Sequence, residues 1–172
     1  EVAVPHTIAP QFELFREVLI ADATVFRLHR LLTEFPATHG DQSGAKLHLV
    51  HNTTTQTLEQ FQLTDERTHE SSQLRTGSWL RGRLLLFDLG FYSFRRFALI
   101  DENGGFFVTR LKTNANPLIV GKRRKWRGRA ISLPGRHLQD VLGDLTRELI
   151  DVTVEISFKR RAYAGKQSTA TM

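Results

Sequence analysis

The sequence predicts an α/β fold, a mixed sheet flanked by helices, on three observations. Strand-like alternation of apolar and polar residues recurs in three stretches between Arg16 and Leu63. A short continuous apolar run, Leu84–Phe87, has the make-up of a strand buried on both sheet faces. That run leads through helical periodicity into a further strand, as a strand–helix–strand unit does.

Residues 1–15 hold two prolines and little periodicity and read as a lead-in. From Arg16 to Leu28, Val18, Ile20, Asp22, Thr24 and Phe26 share one side of a strand, which sets an acid in line with core residues. A charge is rarely buried without a partner, so Asp22 is the anomaly of this strand. Residues 29–43, with Pro36 and Gly40, read as a connection. Ala45–Asn52 alternates Leu47, Leu49 and His51 against Lys46, His48 and Val50, and Thr57–Leu63 follows as another strand, so an antiparallel meander is expected. Thr64 and Asp65 offer caps for a polar helix reaching about Leu74, and Gly77 breaks the chain before the next apolar run.

Asp88 follows Leu84–Phe87 and so stands at the rim of the sheet. Taken alone, an acid there is best read as a cap for the following helix. Gly90 lets the chain turn, and Phe91, Phe94, Phe97 and Ala98 then recur at helical spacing, with Arg95 and Arg96 turned away from that face. Asn103-Gly104-Gly105 stops the helix, and Phe106–Leu111 reads as the next strand. After Asn116-Pro117 the character changes. Lys122, Arg123, Arg124, Lys125, Arg127 and Arg129 surround Trp126, Leu138, Val141, Leu142, Leu145 and Leu149 trace an amphipathic helix, and Val152, Val154, Ile156 and Phe158 an alternating strand. The expected division is a core over residues 1–117 and the beginning of a basic segment over 118–172.

Composition narrows the function classes. With 40% hydrophobic residues and 12 Phe, the 172-residue chain supports one well-buried core and a small second unit. It has no cysteine, which removes disulfides, cysteine-ligated zinc and thiol catalysis. No apolar run spans a bilayer and no signal peptide opens the chain, so a cytoplasmic protein without membrane contact is expected. A net charge of +6 favours a polyanionic partner. Glu1 in place of Met at the start and the coreless GKQSTATM at the end give the expectation of a piece of a longer protein.

One acid inside the first strand and another at the end of the fourth match the ribonuclease H-like arrangement, where those two strands are neighbours. Asp22 and Asp88 would then meet on one rim, and two adjacent carboxylates must hold a proton or a cation. Magnesium suits such a pair, being held by one or two carboxylates with waters and substrate phosphate oxygens. The associated chemistry is in-line displacement at phosphorus. The basic run around Trp126 carries a weaker signal. Charge clusters are often only solvated loops, but Trp126 can stack on an unpaired base while Lys122, Arg123, Arg124, Lys125, Arg127 and Arg129 neutralise phosphates. His48 and His51 point to opposite faces of a strand, which argues against a shared metal.

DATVFRL at Asp22–Leu28, GAKLHLVHN at Gly44–Asn52, DLGFYSF at Asp88–Phe94 and GGFFVTRLKTNANP at Gly104–Pro117 together resemble the DDE transposases of insertion sequences, most of all the type-four branch. The resemblance implies a ribonuclease H-like core followed by the start of a strand-rich insertion, with Asp22 and Asp88 as the first two catalytic acids and metal ligands. It implies Mg2+, with Mn2+ as substitute, and DNA as partner, both transposon ends and target. It leaves room for an intact parent acting as a homodimer on DNA. Arg110 matches a family position and could reach DNA phosphate, or pair with Asp101 or Glu102. The branch's third acid lies in a Tyr-x-x-Arg-x-x-x-Glu pattern, whereas here Leu99 follows Tyr92, and Ala170 follows Tyr163, at the glutamate's spacing. Glu148 and Glu155 read as surface charges. The expectation is a chain that stops before its active site is complete. The rivals are a nucleic-acid-binding module without catalysis and a ribonuclease H-like nuclease that transfers no strand.

Overall fold

A computed structural model of the chain describes residues 12–32, 34–36, 43–122, 133–142, 150–159 and 167–172. It divides into two compact units, Glu1–Arg110 and Leu111–Met172. In the first, β1 (Glu17–Leu28), β2 (Ser43–Asn52) and β3 (Thr57–Asp65) form an antiparallel meander. Strands β4 (Arg83–Phe87) and β5 (Phe106–Val108) extend it in the order β3-β2-β1-β4-β5, with β1 parallel to β4 and β4 parallel to β5. This mixed sheet is that of a ribonuclease H-like core.

Register sorts the side chains of this sheet onto two faces. Leu19 and Ala21 stand beside Leu85 and Phe87, and all four are buried. The helix that crosses from β4 to β5 covers this face, and Phe97 is its anchor. Its ring stacks on Phe107 at 4.5 Å and meets Tyr92 edge-on at 4.9 Å. Asn103 closes that helix by donating from Nδ2 to the Leu99 carbonyl, and Gly104 follows in the left-handed region at φ 69°, where a side chain would be strained.

The opposite face is apolar and open. Two residues along each strand from buried Val18 and Leu84 lie Ile20 and Leu86, and the same face carries Phe26, Phe61, Leu63, Phe106 and Val108. Phe61 is 66% exposed and Val108 55%. A sheet face of this make-up ordinarily lies against another layer.

Three expectations are corrected here. In place of the polar helix from Thr64, β3 runs on to Asp65, and only a short helix α1 (Glu70–Gln73) forms. Asp65 turns its carboxylate onto the Thr68 N–H at 3.0 Å and hydroxyl at 2.8 Å, a side-chain turn that competes with helix. The helix after β4, α2 (Phe94–Glu102), buries Arg96 instead of turning it outward, because its guanidinium donates to the Phe91 and Ser71 carbonyls. Burial and the neighbouring Arg95 lower its pKa to about 10, so it stays charged at neutral pH. Strand β5 ends at Val108, short of Leu111.

The second unit pairs β6 (Leu118–Lys122), β7 (Val152–Lys159) and β8 (Gln167–Thr171) in an antiparallel sheet. Ile119, Leu133 and Val141, the last on helix α3 (Leu138–Leu142), form its core, with Leu138, Val152 and Val154 packed against them. The basic residues Arg123–Arg129, the apolar positions Leu145 and Leu149, and Glu148 lie outside the described residues. No described helix is long and apolar enough to cross a membrane.

Candidate active site

The site is built where β1 and β4 run side by side. Their ladder reaches Ala21 opposite Phe87, so the next residue on each strand is an aspartate. Asp88 continues extended at φ −87°, ψ 176°, and strand alternation turns it to the face of Ile20 and Leu86, which Asp22 shares. Neighbouring strands lie roughly 4.8 Å apart, which sets the scale for the two backbones at this rim. Both acids are exposed. On this apolar face Asp88 stands just past the end of β4, and Asp22 lies at the matching level within β1.

Asp88 caps the turn that follows it, the first of the readings weighed from the sequence. Its Oδ1 accepts the Leu89 N–H at 2.6 Å, capping the 3-10 turn Leu89–Phe91. The same oxygen accepts from Arg110 Nε at 3.1 Å and Nη2 at 2.6 Å. Arg110 thus pairs with Asp88 in the described structure. The guanidinium first, and then the Leu89 amide, hold the Asp88 carboxyl below the ordinary carboxylate value. The counter-charge beside Asp88 is this arginine. Sequence reading missed this contact, although Arg110 follows β5, the neighbour of β4, by two residues.

The turn that carries Asp88 is held from below. Phe91 donates to the Asp88 carbonyl at 3.0 Å, and its own carbonyl accepts from buried Arg96. Glu70 lies against Gly90, its Oε2 where a β-carbon would stand. A side chain at Gly90 would have to displace that carboxylate.

Other candidates fall elsewhere. His48 and His51 lie on opposite faces of β2, as alternation requires. His48 is buried, with Nε2 2.9 Å from the Thr64 hydroxyl, and burial lowers its pKa. A cavity of about 370 Å³ opens beside His48, Gln60, Gln73 and Phe91, away from both acids. Neither Asp22 nor Asp88 lines it. Lys122 ends β6, whereas Arg123, Arg124, Lys125, Trp126, Arg127 and Arg129 are outside the described residues. Glu155 lies on β7 in the second unit. Among the described residues no group of three or more His, Asp or Glu side chains is placed to hold a metal. Two carboxylates on one rim are a donor set for a hard divalent ion that keeps most of its waters.

A search of curated proteins finds no match. A protein family described as "Transposase DDE domain" has a sequence model that matches residues 13–161, which takes in β1 through β7. With that match over most of its length, the chain belongs to the DDE-domain transposase family.

Proposed function

We propose that Asp22 and Asp88 are the first two catalytic acids of a transposase of the type-four insertion-sequence branch, acting in DNA transposition. The observation that supports this best is the parallel β1–β4 register, which brings both acids to one face of one rim inside the family-matched region. Asp22 and Asp88 would hold Mg2+, or Mn2+ in its place. When bound, the ion would polarise a phosphate oxygen and favour ionisation of the attacking water or 3′ hydroxyl. The chain's own contribution is positional. The Leu89 N–H holds Asp88 Oδ1, and the turn Leu89–Phe91 rests on Arg96.

We further propose that residues 118–172 begin a basic inserted segment that contacts DNA, with Lys122 and Arg123–Arg129 facing phosphates and Trp126 stacking on an unpaired base. In the same reading an amphipathic helix bearing the third acid covers the open face of Ile20, Phe61 and Val108, and its glutamate joins Asp22 and Asp88. Until it does, the chain neither cuts nor joins DNA, because an ion held by two carboxylates is not fixed to the fraction of an ångström that displacement needs. Incubating the 172-residue chain with Mg2+ and a transposon-end duplex tests this. No nicking is expected. Magnesium-dependent nicking that Asp88→Ala abolishes would overturn the expected inactivity and return attention to Glu148 and Glu155 as the third acid, whereas nicking that survives Asp88→Ala would overturn the assignment of Asp88.

A further inference from the structure

We propose that Arg110 is a displaceable counter-ion: it neutralises Asp88 while no divalent cation is bound, and passes to a DNA phosphate when the cation takes that carboxylate. The inference rests on the metal-site reading of Asp22 and Asp88 given above. Three donors converge on Asp88 Oδ1, namely Leu89 N–H, Arg110 Nε and Arg110 Nη2. One carboxylate oxygen offers about two lone-pair sites, so this oxygen has no room for a cation while Arg110 stays. Among the described residues all hydrogen bonds to this carboxylate fall on Oδ1. An ion at the other oxygen would still sit within a few ångströms of the guanidinium and be repelled by it.

The pair is built to part. Its side chains are 72% and 65% exposed, so the guanidinium is rehydrated as it leaves. Arg110 also lies beyond the last ladder residue of β5, Val108, and its movement breaks no sheet hydrogen bond. A planar fork that grips a carboxylate oxygen through two N–H groups is equally suited to a phosphate oxygen. The exchange would keep the net charge at the rim nearly constant: as the cation arrives on the acids, the guanidinium moves to the arriving polyanion.

The test uses the whole 172-residue chain and Mn2+ alone, without DNA, by calorimetric titration of wild type, Arg110→Gln, Arg110→Lys and Asp88→Asn. Losing an exposed ion-pair competitor and its repulsion should tighten Mn2+ binding roughly three- to tenfold in Arg110→Gln, with Arg110→Lys between it and wild type. In a second arm, a duplex oligonucleotide titrated in Ca2+ should bind Arg110→Gln more weakly, with a log–log salt slope shallower by about 1. Unchanged or weakened Mn2+ binding in Arg110→Gln, beside wild-type binding that Asp88→Asn removes, would overturn the counter-ion role while leaving the metal site standing. No Mn2+ binding by wild type would overturn both.

Discussion

Truncating Phe97 to alanine should strongly destabilise the first unit. The ring is 4% exposed and touches Phe87, Tyr92, Phe94 and Phe107 at centroid distances of 6.0, 4.9, 5.9 and 4.5 Å. Deleting a buried Phe side chain costs about 3–5 kcal/mol, and four ring neighbours that collapse poorly into the gap place this site toward the upper end. A domain of this size has about 5–15 kcal/mol in all, and each kilocalorie moves the melting temperature by about 4–8 °C. The expected fall is therefore at least 12 °C, roughly, by far-ultraviolet circular dichroism. Phe97→Leu keeps the apolar volume in part and should cost about 1–2 kcal/mol. Urea unfolding of the two variants beside wild type measures both. A loss below about 1 kcal/mol in Phe97→Ala would refute the claim that α2 is anchored to the sheet by this ring.

Asn52→Ala should cost about 2–3 kcal/mol in the same urea assay, because Asn52 is fully buried and its Oδ1 accepts the Thr54 and Thr55 N–H groups at 3.0 and 3.1 Å. The Asn52 amide, and secondarily Arg83, hold the Glu59 carboxyl below its ordinary 4.5. Glu59 therefore adds stability above pH 4.5 that is lost as the pH falls through its lower folded value, and Glu59→Gln should flatten the acid limb of the stability profile over that window. Gly105→Ala should cost about 1–2 kcal/mol in thermal melts, since a β-carbon there would stand 3.1 Å from the Leu80 carbonyl oxygen and 3.0 Å from Ile100 Cγ2. Phe61→Lys with Leu63→Thr should reduce dye binding and self-association while changing stability by about 0.5 kcal/mol or less, because both side chains stand on the open face. A loss of about 2 kcal/mol or more would show that the face is covered in solution.

The strands were legible because alternation is a local signal: Val18 through Phe26 and Leu47 through His51 each mark their faces by spacing alone. So was the adjacency of the first and fourth strands, which sets Asp22 and Asp88 one residue past the paired Ala21 and Phe87. What spacing does not carry is partner choice across the fold. Arg96 reads as a surface charge on a helical wheel, and only the carbonyls of Phe91 and Ser71 converging on it make burial tolerable. Arg110 reads as a phosphate contact or a partner of Asp101 or Glu102, because its pairing with Asp88 depends on β5 lying beside β4. The Thr64–Asp65 cap signal was real, but Asp65 spends it on a turn at Thr68, and no helix starts there. The open apolar face was legible only in part. Its residues follow strand alternation, but which layer lies against them is a tertiary property that no local pattern encodes.

The central claim, that Asp22 and Asp88 form one divalent-ion site, is tested most directly by anomalous diffraction from crystals of the chain grown with Mn2+. The account predicts a single strong peak at the carboxyl edge of β1 and β4, within about 2.0–2.3 Å of an oxygen of each aspartate, and its loss in Asp22→Asn. Carboxylates facing apart, or a peak that persists unchanged in the Asp22→Asn, Asp88→Asn double variant, would contradict it.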